Sequence, residues 1–143
     1  MHREPFAERH PHSVAEIEVE EYYFVSDLHF GGDGQLMVCD YTEEFIRFLR
    51  KLAKSDKTAE LIIAGDTFGF WELTTSSGPQ QLDEIIKHHS RIFEQFRETG
   101  ESVRITLMVG NHDYDLACDP LYKDKLAEYN IVLDTSLALV REV

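Results

Sequence analysis

From residue 22 onward, short apolar runs alternate with amphipathic stretches. "YYFVS" (22–26) is aromatic and β-branched, ends near a Gly-Gly pair, and predicts a buried strand. Tyr41, Phe45, Phe48, Leu49 and Leu52 then recur at helical spacing, with Asp40 or Thr42 placed to cap the helix. "ELIIAG" (60–65) predicts a second buried strand. Residues 78–100 predict one long helix with Leu82, Ile85, Ile86, His89, Phe93 and Phe96 on one stripe and Gly100 as its stop. "VRITLMVG" (103–110) is a third strand, and 120–130 a short helix with proline in its first turn. "IVL" and "LALVREV" predict two further strands, paired through "DTS". The order β-α-β-α-β-α-β-β predicts an α/β fold with at least three parallel strands flanked by helices. Residues 1–19 lack periodicity and read as a loosely ordered lead-in; 20–143 read as the domain.

The polar exceptions cluster. Strand one ends in Asp27-Leu28-His29, strand two in Gly65-Asp66, and strand three in Gly110-Asn111-His112-Asp113. Ligands of open α/β sheets bind beyond the carboxyl ends of the strands, so three segments converge on one edge. In extended chain residues i and i+2 point the same way, which lets Asp27 and His29 grip one ion while Leu28 returns to the core. Gly65 and Gly110 stand where a side chain would crowd the turn. Carboxylate, imidazole and carboxamide donors without thiolates suit Mn, Fe or Zn at a catalytic rather than a structural site.

Composition narrows the classes. At 143 residues the chain is one domain or a large part of one, long enough to bury a core. Cys39 and Cys118 form no spacing pattern and read as free thiols of a reducing compartment, or as one bridge. The first residues carry no apolar signal-peptide core, and no apolar run is long enough to span a bilayer, so the expected location is cytoplasmic. The formal net charge of −13 repels nucleic acid and anionic membranes, and gives no indication of a nucleic-acid partner. Bound cations reverse such a sign locally, and metal ligands contribute to it. Of the remaining histidines, His10 and His12 read as tail, His88 as solvated, and His89, on the apolar stripe, as a hydrogen-bonded core residue rather than a ligand. Phe68, Phe70 and Trp71 read as plain core, and Trp71 equally as a wall of the substrate pocket, so it stays a candidate for substrate binding.

Asp-x-His, Gly-Asp and Gly-Asn-His-Asp, in this order and each after a strand, resemble the first three motifs of the calcineurin-like metallophosphoesterases. The resemblance covers most of the chain from about residue 22. It implies the N-terminal part of an αββα sandwich with two divalent ions at the strand ends. Asp27 and His29 would bind the first ion, Asp66 would bridge both, and Asn111 would bind the second. His112 would act on the leaving group. The implied reaction is hydrolysis of a phosphomonoester, phosphodiester or pyrophosphate by in-line attack of a bridging hydroxide. "GDTFGFW" further resembles a stretch of UDP-diacylglucosamine hydrolases, whereas the tyrosine ligand of purple acid phosphatases has no counterpart: Gly69 stands there.

Two departures shape the expectation. Many members carry a second acid at the position of Gly69, which orients the histidine matching His112; Asp113 or a backbone carbonyl would have to take over here. Asp113 is equally a turn residue. The family also supplies further histidine ligands late in its domain, and no histidine follows His112. The chain therefore reads as a phosphoesterase domain without its C-terminal half, expected to hold one ion fully rather than two. Competing readings are a non-catalytic binding module on the same scaffold and one chain of an assembly whose partner completes the site. A half-sandwich exposes apolar sheet, which favours a homo-oligomer or swapped dimer. The phosphorylated substrate stays undefined, because fold does not settle function.

Overall fold

The computed structural model describes residues 18–31, 41–69, 78–111 and 113–142. Val19 is already buried, and the Glu20 N–H donates to Thr58 O at 2.8 Å.

Among the described residues four strands, β1 (Glu21–Val25), β2 (Ala59–Ile63), β3 (Arg104–Met108) and β4 (Ile131–Asp134), form one all-parallel sheet in the order β1-β2-β3-β4. Between them lie α1 (Thr42–Ala53), α2 (Pro79–His88), α3 (Ser90–Thr99) and α4 (Pro120–Ala127). Right-handed crossovers between strands in consecutive order carry every helix to the same side. The register displays the result. Tyr23, Leu61, Ile105 and Ile131 form one row, and Val25, Ile63, Leu107 and Leu133 another. Both rows pack into one core with Phe45, Leu49, Leu82, Ile85, Phe93, Phe96 and Leu126 of the helices. The opposite face carries Phe24, Ile62, Thr106 and Val132 in one row, and Tyr22, Glu60 and Arg104 in the next. There Phe24 and Val132 are exposed.

Two expectations need correction. The long helix over 78–100 is broken at His89, whose backbone (φ −115, ψ 34) leaves the helical region while its ring turns inward. Gly100 ends α3 in right-handed backbone and is needed for space: a Cβ there would meet Asn130 Cβ at 2.3 Å. Residues 137–142 add no strand. Asp134 Oδ1 accepts the Ser136 N–H at 2.9 Å, which turns the chain, but Arg141 then reaches Glu60, with Nε 2.7 Å from Oε1. That ion pair draws the segment across the second face instead of along β4, and Leu137 and Val140 stay exposed.

Candidate metal centre

Past the last residues of β1 and β2 the backbones stay joined. The Ala64 N–H donates to Val25 O (2.7 Å), Asp27 N–H to Gly65 O (3.1 Å), His29 N–H to Asp66 O (3.1 Å) and Phe30 N–H to Thr67 O (2.8 Å). The two loops are thus zipped together through their polar residues. The backbone is unusual there. Asp27, His29 and Asp66 have φ of 55, 52 and 53, in the left-handed region that costs an L-residue roughly 1–2 kcal/mol. Extended-chain alternation is therefore not what brings Asp27 and His29 to one side. The left-handed turns do so, while Leu28 between them is buried as expected.

The three side chains converge. Asp27, His29 and Asp66 each offer a ligand atom, all within 4.8 Å of one another. His29 Nε2 lies 3.5 Å from Asp27 Oδ1. A hydrogen bond from Ser26 holds the Asp27 carboxyl below the usual carboxylate range; slight burial opposes it and His29 reinforces it. Space at the site is set by glycine. A Cβ on Gly110 would fall 2.4 Å from Asp66 Oδ1, and one on Gly65 (φ 98) 3.1 Å from Gly110 Cα. Two carboxylates and an imidazole in one exposed-to-half-buried spot, with no thiolate, are a donor set that fits a mid-series divalent cation.

Asp113 ties in the third strand. Its carboxylate is completely buried. Oδ2 accepts from Thr67 N–H (2.6 Å) and Phe68 N–H (3.3 Å), and Oδ1 from Gly110 N–H (2.6 Å). Burial pushes its pKa up; the three amides pull it down, and the Asp66 charge pushes it up again. Asp113 therefore clasps the loop after β2 to the loop after β3 and keeps Gly110, and with it the exposed Asn111, against Asp66. Its carbonyl also accepts the Leu116 N–H (3.1 Å) at the start of the turn Tyr114–Ala117, so it is a turn residue as well. The sequence signal for a clasp was an acid three residues beyond a crowded glycine.

The sequence profile of the calcineurin-like phosphoesterases matches residues 22–138. The chain belongs to that family. The match runs from β1 past the end of β4 and so takes in all three polar strand ends. No curated protein matches the sequence significantly. In this phosphoesterase domain Asp27, His29 and Asp66 come together, Asn111 sits on the adjoining loop, and Asp113 lies beneath. His112 and Trp71 lie outside the described residues, as do Phe70, Cys39, His10 and His12. Cys118 is a free, exposed thiol and His88 is exposed. Sequence reasoning missed the left-handed backbone at Asp27, His29 and Asp66 and the hydroxyl of Tyr41, which donates to Leu28 O; Tyr41 rather than Thr42 stands at the N-cap of α1, and Asp40 lies outside the described residues. Among the described residues no helix is long and apolar enough to cross a membrane.

Proposed function

We propose that this chain is a metal-dependent phosphoesterase whose strand-end cluster holds divalent ions, Mn, Fe or Zn, for hydrolysis of a phosphomonoester, phosphodiester or pyrophosphate. The observation that carries the reading is the convergence of Asp27, His29 and Asp66 within 4.8 Å beyond β1 and β2. Asp27 and His29 would hold one ion, Asp66 would be shared between two, and Asn111 would reach the second. Bound divalent ions supply Lewis acidity and an activated water. The chain's own groups do the rest. The carboxylates supply charge that orients the cation, and His112 would deliver a proton to the leaving oxygen. Asp113 holds the Gly110 amide, two residues before His112 in the chain. A neutral carboxamide competes poorly with water, so the second ion is the weaker one unless further ligands reach the site. A reducing, cytoplasmic setting suits the free Cys118 thiol.

Titration of the chain with Mn tests this directly. Wild type is expected to bind, and Asp66→Ala to bind fewer or weaker ions. Equal stoichiometry and affinity in both would remove Asp66 from the site. In the same way, His112→Asn should lower kcat by about 10²-fold or more at unchanged metal content, as for a lost general acid; loss of metal instead would make His112 a ligand.

A second reading, an assembly whose partner chain completes the site, is favoured by the exposed Phe24 and Val132 on the face opposite the helices. Light scattering at assay concentration separates it from a monomeric enzyme.

A further inference from the structure

The loop carrying Asp27 and His29 is held by more than its zip to the Asp66 loop. Three of its carbonyls are taken. The Tyr41 hydroxyl donates to Leu28 O, the Gly69 N–H to Phe30 O (3.0 Å), and Nε2 of His89 lies 2.9 Å from Gly31 O. A carbonyl only accepts, so His89 carries its hydrogen on Nε2, and burial pushes its pKa down and keeps the ring neutral. Between these anchors Phe30 is fully buried, its ring 5.1 Å from the His89 ring and 6.2 Å from that of Phe45.

Both side chains act against the preference of their own element. Tyr41 occupies the N-cap of α1 and gives that helix no side-chain cap, where Ser, Thr, Asp or Asn would. His89 stands at the break between α2 and α3. The loop they reach is the strained one. Left-handed non-glycine residues persist only where their surroundings over-determine them. The zip joins the two loops to each other and Asp113 ties the second to the loop after β3; Tyr41 and His89 add the hold on the first loop from the helical side.

Resting on the metal-binding reading above, we propose that Tyr41 and His89 are positioning residues of the metal centre. They pin the carbonyls on either side of His29, at Leu28 and Gly31. The pins hold Asp27 and His29 in the backbone shape that lets their donor atoms meet Asp66. Neither residue touches the ion.

The test measures Mn affinity of the whole chain by electron paramagnetic resonance of free Mn, with circular dichroism melts run alongside. Tyr41→Phe and His89→Leu are expected to weaken Mn binding about 10–100-fold, typical of lost partners behind metal ligands, and His89→Gln, whose amide N–H reaches Gly31 O, to return within about threefold of wild type. Asp66→Ala serves as the reference loss. Should His89→Leu fail to fold, Tyr41→Phe, which deletes one oxygen, and His89→Gln decide the matter. Wild-type affinity in Tyr41→Phe and His89→Leu, beside a weakened Asp66→Ala, overturns the proposal and leaves the metal site standing. A loss in His89→Gln as large as in His89→Leu overturns it too, since shape rather than the hydrogen bond would then matter. Wild-type affinity in Asp66→Ala removes the metal site and this proposal together.

Discussion

The same parallel strands carry a charged cluster at each end, and the two are built on opposite terms. At the carboxyl ends stand Asp27, His29 and Asp66, half-buried to exposed, on left-handed backbone. Beneath them the Thr67 hydroxyl is buried with no hydrogen-bond partner among the described residues. At the amino ends Glu60 is fully buried on the second face of the sheet. Its carboxylate accepts Arg104 Nε (2.9 Å), Arg104 Nη2 (3.0 Å), Thr106 Oγ1 (2.7 Å), Arg141 Nε (2.7 Å) and Arg141 Nη2 (3.1 Å). Among the described residues one cluster surrounds its carboxylate with donors; the other sets two carboxylates beside one imidazole on left-handed backbone, a donor set that fits a cation. The difference separates a stabilising network from a candidate site, where strain and like charge accumulate.

The largest expected effect breaks the complete cluster. Glu60→Ala leaves Arg104, only 8% exposed, without its carboxylate, and should cost about 3–5 kcal/mol, the usual penalty for orphaning one member of a buried pair. Urea denaturation reads it. Replacing Glu60 and Arg104 together by Leu and Met should recover most of the loss, since a well-packed apolar pair is often as stable as a buried ionic one. The pH dependence has a definite sign. Burial raises the Glu60 pKa, but the hydrogen bonds from Arg141, Arg104 and Thr106 outweigh it, and the folded value lies below the ordinary 4.5. The unfolded chain thus binds the proton first. Stability from Glu60 is complete above about pH 4.5 and is lost as pH falls through the folded value. Glu60→Gln should lack that acid limb.

How much of this contrast was legible in the sequence differs between the two ends. The strands followed from short apolar runs, α1 from helical periodicity and α4 from the proline in its first turn, and the polar strand ends from the abrupt close of each apolar run at Asp27, Asp66 and Asn111. Those signals are local. What escaped is long-range. Glu60 and Arg104 are 44 residues apart and Arg141 is 81 residues from Glu60, so "ELIIAG" gives no sign of its partners. The break at His89 escaped because the apolar stripe continues through it; only the bond to Gly31, 58 residues away, makes the ring turn inward. The failed strand "LALVREV" has the right pattern, and a single ion pair diverts it.

A smaller effect tests whether the unbalanced end is anchored from the core. His89 is buried and its pKa is pushed below the ordinary 6.5, first by burial, with the Gly31 bond opposing and His88 adding a little. A base with a depressed folded pKa binds its proton in the unfolded chain first. Its contribution is fully present above about pH 6.5 and declines as pH falls toward the folded value. The slope cannot exceed about 1.4 kcal/mol per pH unit for one proton. Every other residue is common to wild type and His89→Gln, so the difference in melting between pH 7.5 and 5.5 isolates His89. A steeper loss in wild type is expected; parallel curves would mean that the ring does not stay neutral when folded.

The last effect, the smallest in the absence of metal, goes to the centre of the comparison, because it should change sign. Asp66→Asn keeps the side chain's shape and its place in left-handed backbone, which Asn tolerates better than most residues. It removes one of the two negative charges that meet at the strand ends. Without metal the variant should therefore be as stable as wild type, or more stable by up to about 1 kcal/mol, the common result of neutralising an unbalanced functional site. With Mn at about 100 times the wild-type dissociation constant, wild type alone gains about 2.7 kcal/mol by mass action, and the order reverses. Melting both proteins with chelator and with Mn measures it. The same reversal is not expected at Glu60, where Glu60→Gln is the less stable protein in both solutions. A variant at Asp66 that is less stable than wild type in chelator would place the carboxylate among the fold's own supports, and the two ends of the sheet would then be alike.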